Sequence, residues 1–184
     1  MIVVQDDFLP VDKFLSLQDY CNKVKFVEHE VGEKSFLIAN TPENALSELR
    51  VEGYKIILSF IRKAHKNFDT DLRIHADGII DGQKTDLASV LYINSSEGVT
   101  TNGTAFWEHF KHGHKLPDDF TNEEFDRLLT EDANQKENFT MTDKIMARPN
   151  RLLLYDASYF HSKFPRKISK GERIVLVTFY SKID

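Results

Sequence analysis

The hydrophobic rhythm of the chain changes near residue 70. Before it, apolar residues recur mostly at intervals of three and four; after it, short runs of β-branched and aromatic residues dominate. Ile2 to Leu9 reads as a first strand or extended lead-in. From Val11 to Lys25, Phe14, Leu15, Leu17 and Cys21 fall near helical spacing, and Asp12 is a candidate cap. Phe26 to Ala39 is expected to form two strands broken near Gly32. Thr41-Pro-Glu-Asn44 is expected to open a second helix, because proline suits a first helical turn. Leu46, Leu49, Gly53, Ile56, Ile57, Phe60, Ile61 and Ala64 then repeat at three and four, which predicts a helix ending near Asn67.

Beyond residue 70, five segments read as strands: Leu72 to Asp77, Ala88 to Asn94, Gly103 to Trp107, Asn150 to Asp156 and Arg173 to Tyr180. Between His109 and Arg148 lies an acidic, Phe-bearing stretch, expected to be an insertion with one short helix. Thr121-Asn-Glu-Glu124 has the form of a capping box leading into Phe125, Leu128 and Leu129. Helices followed by strands predict an α+β, mainly β layout, with N-terminal helices packed outside a β sandwich or barrel. No repeat and no Pro/Gly/Ser-rich linker interrupts the chain, so 1–184 is expected to be a single domain. Residues 1–70 would support a β core at 71–184 that carries an insertion at about 109–148.

Composition narrows the function more than the fold. The 184 residues are 41% hydrophobic with 14 Phe, enough for one sizeable core. A net charge of −5 and the lack of any basic run argue against a nucleic-acid surface. The one cysteine, Cys21, cannot form an internal disulfide and reads as a packed thiol in a reducing compartment. The start of the chain has no basic, apolar leader pattern, so a cytoplasmic protein without membrane association is expected. Asn94-Ser-Ser, Asn102-Gly-Thr and Asn138-Phe-Thr match the glycosylation pattern and are read as chance matches.

The candidate chemistry is His75-Ala76-Asp77 with His161. Side chains at i and i+2 of a strand point to the same side, so His75 and Asp77 can reach one ion together. A third ligand has to come from another segment, and His161 follows the apolar run Leu152 to Tyr155. Two imidazoles and one carboxylate are the ligand set that holds Fe(II) on one face and leaves other positions open. Arg173, on the next strand, offers a two-pronged fork for a carboxylate. Arg73 lies on the same side as His75, for a substrate contact or a surface salt bridge. His109, His112 and His114 admit a second metal site, but an exposed polar connector is the expectation. Trp107 is placed as a core aromatic or at the rim of the barrel mouth.

These residues carry a resemblance. His75-Ala-Asp77, Leu91-Tyr-Ile-Asn94, Asn102-Gly-Thr-Ala-Phe106, Asn150-Arg-Leu-Leu-Leu-Tyr-Asp156, His161-Ser162 and Arg173-Ile-Val-Leu-Val occur in that order. The segment from about Leu72 to Tyr180 resembles the double-stranded β-helix (jelly-roll) core of the 2-oxoglutarate/Fe(II)-dependent oxygenases. It is most similar to the prolyl-hydroxylase-like branch, with its small phage and bacterial forms. The lead-in Asp7-Phe-Leu-Pro10 resembles the start of such domains. The resemblance implies His75, Asp77 and His161 as iron ligands, Arg173 as the partner of the distal carboxylate of 2-oxoglutarate, and Tyr92 as a further donor to that carboxylate. Ser162 and Thr178 are weaker candidates for the pocket lining. Asn102 stands where the family more often has glycine, and asparagine tolerates a left-handed backbone.

The implied activity is hydroxylation of a peptidyl or amino-acid C–H bond, coupled to conversion of 2-oxoglutarate and O2 to succinate and CO2, with ascorbate an admissible reductant. The substrate itself, whether peptide, protein or small molecule, and the oligomeric state are left open. The acidic residues Asp118, Asp119, Glu123, Glu124 and Asp126 suit either a basic substrate or a solvated helix face. Two alternatives stand beside the oxygenase: a non-catalytic jelly-roll binding module, and a cupin-like metalloprotein that works without 2-oxoglutarate.

Overall fold

The computed structural model describes residues 1–31, 34–69, 71–80, 82–94 and 102–183. Its strands are β1 (Ile2–Gln5), β2 (Val27–Val31), β3 (Lys34–Asn40), β4 (Tyr54–His65), β5 (Ile79–Ile80), β6 (Gln83–Lys84), β7 (Leu87–Tyr92), β8 (Gly103–His109), β9 (Phe139–Met146), β10 (Arg151–Asp156), β11 (His161–Phe164) and β12 (Glu172–Lys182). Its α-helices are α1 (Val11–Lys23), α2 (Glu43–Leu46) and α3 (Asn122–Thr130). Seven strands form one antiparallel sheet in the order β1-β10-β7-β12-β4-β3-β2, and β11-β8-β9 form a second. Strands from both sides of residue 70 therefore share one sheet.

Alternation along the strands sorts side chains into layers. Val175, Val177 and Phe179 of β12, Ala88, Val90 and Tyr92 of β7, and Phe106 of β8 meet between the two sheets. Ile174 and Leu176 of β12 and Leu91 of β7 point the other way and pack under α1, which buries Phe14, Leu17 and Cys21 there. Leu91 and Leu176 are fully buried, each contributing about 1.5–3 kcal/mol by leaving water. Burial pushes the Cys21 thiol up to about 11, which makes it an inert packing group. On the outer face of the small sheet, Ala105 and Trp107 of β8 pack with Phe125 and Leu128 of α3. The fold is mostly antiparallel β, of jelly-roll type.

Several local expectations change. The helix predicted over residues 41–67 is one short helical turn, α2, followed by a 310 turn and the 12-residue strand β4. β4 pairs with β12 over most of its length, and the register shifts opposite Phe179 and Tyr180. That bulge puts Ile56 with Ile61 on the α1 face and Ile57 with Phe60 on the inner face. Same-face spacings of five and three hide the period of two and imitate a helix. Helix α1 begins after Pro10 without a side-chain cap, so Asp12 is not its cap. The expected break at Gly32 lies outside the described residues. Phe139–Met146, read as insertion, is strand β9, an edge strand whose middle is exposed and so lacks an apolar signature. Thr121 does form its capping box with Glu124.

Two turns matter for the site. A Cβ on Gly103 would lie 2.1 Å from the Ile145 carbonyl oxygen, so β8 and β9 approach too closely for any other residue. Asn102 is not among the described residues with positive φ, so the turn does not use the left-handed backbone that its asparagine would tolerate. Asn150 does, with φ 61. Its side chain accepts from the Leu9 N–H and donates to the Leu9 carbonyl, tying the lead-in to the start of β10.

Candidate metal centre

His75 lies not in a regular strand but in an extended segment with one bridge to β11. Its N–H donates to the His161 carbonyl at 2.9 Å, and the His161 N–H donates back at 2.8 Å. Residues directly paired in this way project their side chains from the same face of the ladder. The two imidazoles therefore stand side by side, ring centroids 4.6 Å apart. Asp77, two residues beyond His75, returns to that face; its N–H is held by the Ala157 carbonyl. Ala76 points into the outer apolar cluster with Ile74. One backbone pairing and one alternation thus bring three donors within 4.8 Å of one another.

The hydrogen bonds choose the donor atom. His161 Nδ1 lies 3.0 Å from the Tyr159 carbonyl, and His75 Nδ1 lies 3.4 Å from the Arg73 carbonyl. A carbonyl only accepts, so each Nδ1 carries a proton and Nε2 is the nitrogen left to meet a cation. Those Nε2 atoms face Asp77, at 3.2 Å for His161 and 3.6 Å for His75. Burial, and then the neighbouring His161, pushes His75 down to about 4, so it is neutral at pH 7. Burial pushes the Asp77 carboxyl up, but His161 and then His75 outweigh this and hold it below its usual range. Burial would lower the His161 pKa, but Asp77 outweighs it and raises it, so a cation bound here takes the place of a proton on His161 Nε2. Two imidazole nitrogens and one carboxylate on one face then fit a divalent first-row metal with positions left open.

The cavity lined by this face has a volume of about 100 Å³, and Arg173 lines it too. Arg173 is 6% exposed. It makes no salt bridge among the described residues, and its Nε has no hydrogen-bond partner. Its Nη2 donates to the Gly103 carbonyl at a long 3.5 Å. Burial pulls its pKa down, the cost of an unpaired guanidinium in the interior. Such a group is a receptor for an anion. Tyr92 lies beside it, with the Arg173 guanidinium 5.8 Å from its ring centre. The Tyr92 hydroxyl bonds the Thr104 hydroxyl at 2.7 Å, and of the two it is Thr104 that lines the cavity.

Sequence reading did not single out Thr104, Tyr155, Phe60 or Arg62, which also line the cavity. Inward alternation on β8, β10 and β4 was the available signal, and on β4 the bulge concealed it. Other expected positions turn away. Trp107 is buried on the outer face of the small sheet, and its Nε1 donates to the Ser162 hydroxyl at 3.0 Å. It is core, not rim; Ser162, which accepts that bond, does line the cavity, as expected. The Thr178 hydroxyl, fully buried, bonds Ser59 and does not line the cavity. His109 is not an exposed connector: it is 1% exposed, stacked on His112 and surrounded by Phe110, Phe139 and Phe160. No helix among the described residues is long and apolar enough to cross a membrane.

Solved structures share this architecture. The chain is similar to HygX from Streptomyces hygroscopicus, solved with nickel and 2-oxoglutarate, at 10% identity and a TM-score of 0.56, over 98% of this chain and 82% of that one. It is similar to SnoK, a non-heme α-ketoglutarate-dependent carbocyclase from nogalamycin biosynthesis, at 14% identity and 0.67, over 100% and 80%. A Pseudomonas putida prolyl-4-hydroxylase matches at 13% identity and 0.53, over 100% and 93%. These likenesses show that the chain has the fold those enzymes share. No curated protein matches the chain by sequence. A family match does exist over residues 37–172, which hold His75, Asp77 and His161, and by it the chain belongs to the family described as a family of unknown function, DUF6445.

Proposed function

We propose that the chain is an Fe(II)- and 2-oxoglutarate-dependent oxygenase that hydroxylates a peptidyl or amino-acid C–H bond. One observation carries the reading: a three-donor metal face and an unpaired, buried guanidinium open into the same cavity. Neighbours of the same fold support it, since HygX was solved with nickel and 2-oxoglutarate and also with iron. Hydroxylation is favoured by the likeness to the prolyl-4-hydroxylase.

Bound at this face, iron with 2-oxoglutarate and O2 would supply the oxidising chemistry, with succinate and CO2 as co-products. The residues of the chain provide the rest. His75, Asp77 and His161 occupy one face and leave the opposite side open. Arg173 grips the distal carboxylate of the co-substrate through its fork. Phe60, Val90, Val175, Val177 and Phe179 wall the cavity and exclude water, which strengthens every charge interaction inside. Burial holds the Tyr155 pKa well above its usual value, so its hydroxyl stays neutral beside His161, with ring centroids 4.9 Å apart.

The test is thermal and chemical. Divalent metal and 2-oxoglutarate together should raise the melting temperature more than either alone. Asp77→Ala should abolish succinate formation, and succinate at the wild-type rate in that variant would sink the assignment. Arg173→Met should lose the 2-oxoglutarate part of the shift while stabilising the ligand-free protein, because it removes an unpaired buried charge. An unchanged 2-oxoglutarate requirement in Arg173→Met would remove Arg173 from the clamp.

A further inference from the structure

The wall beside the metal face carries more charge than metal and co-substrate use. Asp71, Arg73, His75 and Asp77 alternate along one extended segment, and all four line the cavity. Arg73 donates from Nε and Nη2 to the two oxygens of Asp71, at 2.9 Å each. A guanidinium has two such forks, and this pairing uses one. The end-on fork, Nη1 with Nη2, stays available, because Nη1 makes no hydrogen bond among the described residues. Arg62 repeats the arrangement on Asp69, at 2.5 and 2.6 Å. Lys163 locks the two pairs together: it donates to Asp69 Oδ1 at 3.0 Å, to the Asp69 carbonyl at 3.2 Å and to the Asp71 carbonyl. Its three protons are thereby used, so Arg62 and Arg73 are the cations with donors to spare.

We propose that the substrate is an acid whose carboxylate or phosphate docks on the free fork of Arg73, with Arg62 as the second cation of the same wall. This rests on the oxygenase reading, which assigns Asp77 to the metal and Arg173 to the co-substrate. The other charged residues lining the cavity are then Arg62, Arg73 and Lys163 against Asp71. Counting Asp69 behind them, three positive charges face two negative ones, and the wall stays positive. Buried ion pairs add little net stability, so folding alone does not call for two immobilised guanidiniums at this place. None of Asp118, Asp119, Glu123, Glu124 or Asp126 lines the cavity, which removes the ground for expecting a basic substrate. With Asp71 and Asp69 fixing their Nε edges, both arginines are pre-oriented, and a bidentate anion binds them without further ordering.

The test uses the full chain saturated with Ni(II) and 2-oxoglutarate, and binding is read by calorimetry. The probes are the α-amides of N-acetylglutamate, N-acetylphosphoserine and N-acetylglutamine, so that carboxylate, phosphate and an uncharged isostere are compared. At least one anionic probe should bind about tenfold or more tighter than the glutamine amide, the strength of one charge-assisted pair. The tighter of the two anions tells carboxylate from phosphate. Arg73→Gln should erase that preference, and Arg73→Lys, which keeps the charge but not the fork, should restore part of it. Arg62→Gln, a second variant in case Arg73→Gln does not fold, should reduce it. Equal binding of all three probes, no binding of any, or an undiminished preference in Arg73→Gln overturns the proposal. Joint stabilisation by Ni(II) and 2-oxoglutarate is recorded on the same samples. Its loss in the wild type would mean that the oxygenase reading has failed; its presence without an anion preference would mean that only this inference has.

Discussion

Among the described residues two pairs of imidazoles lie beside an aspartate, and only one of them gathers its ligand atoms as a metal ion would need. His75 and His161 lie 4.6 Å apart by ring centroid with Asp77 before them; His109 and His112 lie 4.9 Å apart with Asp132 at 3.6 Å from His109. The backbone makes the difference. At His75 and His161, carbonyls face Nδ1 and turn Nε2 towards Asp77. At His109, Nδ1 accepts from the Lys111 and His112 N–H groups, at 3.2 and 3.3 Å. The proton of a neutral His109 must then sit on Nε2, turned towards Asp132. The first pair turns both Nε2 atoms towards one carboxylate, where a cation can replace a proton. At the second, His109 Nδ1 is engaged by backbone N–H groups and its Nε2 has no hydrogen-bond partner among the described residues. Proximity of histidines is a weak indicator of a metal; the group that engages the other nitrogen is a stronger one.

The sharpest way to break this contrast is a matched pair of substitutions. His161→Ala should weaken metal binding by more than the roughly 10–100-fold that loss of an outer hydrogen-bond partner costs. His109→Ala should leave metal stoichiometry and affinity unchanged while losing about 1–3 kcal/mol of stability, as expected for hollowing a buried site. Equilibrium dialysis and urea unfolding on both proteins read the two effects separately. Metal lost from His109→Ala would end the distinction.

A second prediction concerns the charge cluster beside the metal face. Burial alone would raise the Asp71 pKa, but the Arg73 hydrogen bonds and the His75 and Arg73 charges hold it far below its ordinary 3.8. A carboxylate depressed in the folded state adds stability that is present above its unfolded pKa and is lost as pH falls towards the folded value. Asp71→Asn should therefore cost about 3–5 kcal/mol near neutral pH, because it strands the Arg73 charge. The gap between wild type and variant should close as the pH is taken below 3.8. Unfolding free energies measured across that range check both size and sign, and a gap independent of pH would count against the ion pair.

The triad was legible because its geometry is local. An i, i+2 pair needs only an extended backbone, and Arg173 sits in a run of residues that reads as a buried strand. The same alternation placed Arg73 on the side of His75, and one further step of it puts Asp71 there too. What could not be read was anything resting on pairing between distant segments. The bulge opposite Phe179 and Tyr180 turned β4 into an apparent helix, and with it hid Phe60 and Arg62. Strand β9 escaped because an edge strand with one protected side has little apolar pattern to show. His109 looked like part of a polar connector because its neighbours Lys111, His112 and His114 are polar. Its burial comes from Phe139 and Phe160, which lie 30 and 51 residues further along the sequence.

The smallest effect tests whether the two histidine regions are separate in stability as well as in chemistry. Thr121 caps α3: its hydroxyl accepts from the Glu124 N–H at 3.2 Å, and the Glu124 carboxylate accepts from the Thr121 N–H at 2.8 Å. Thr121→Ala removes half of this box and should cost about 1 kcal/mol. Helix α3 contributes Phe125 and Leu128 to the outer cluster that holds Phe139 and Phe160, the rings packed against His109. Loosening it should speed amide exchange along α3 and around His109. The metal face depends instead on the bridge between His75 and His161, so exchange at those two amides and the affinity for metal should stay as in the wild type. Ile74 and Ala76 flank His75 and belong to the same outer cluster. If exchange at His75 rises together with that at His109, the packing between them couples the regions, and the metal face is only as rigid as the helix cap that supports that cluster.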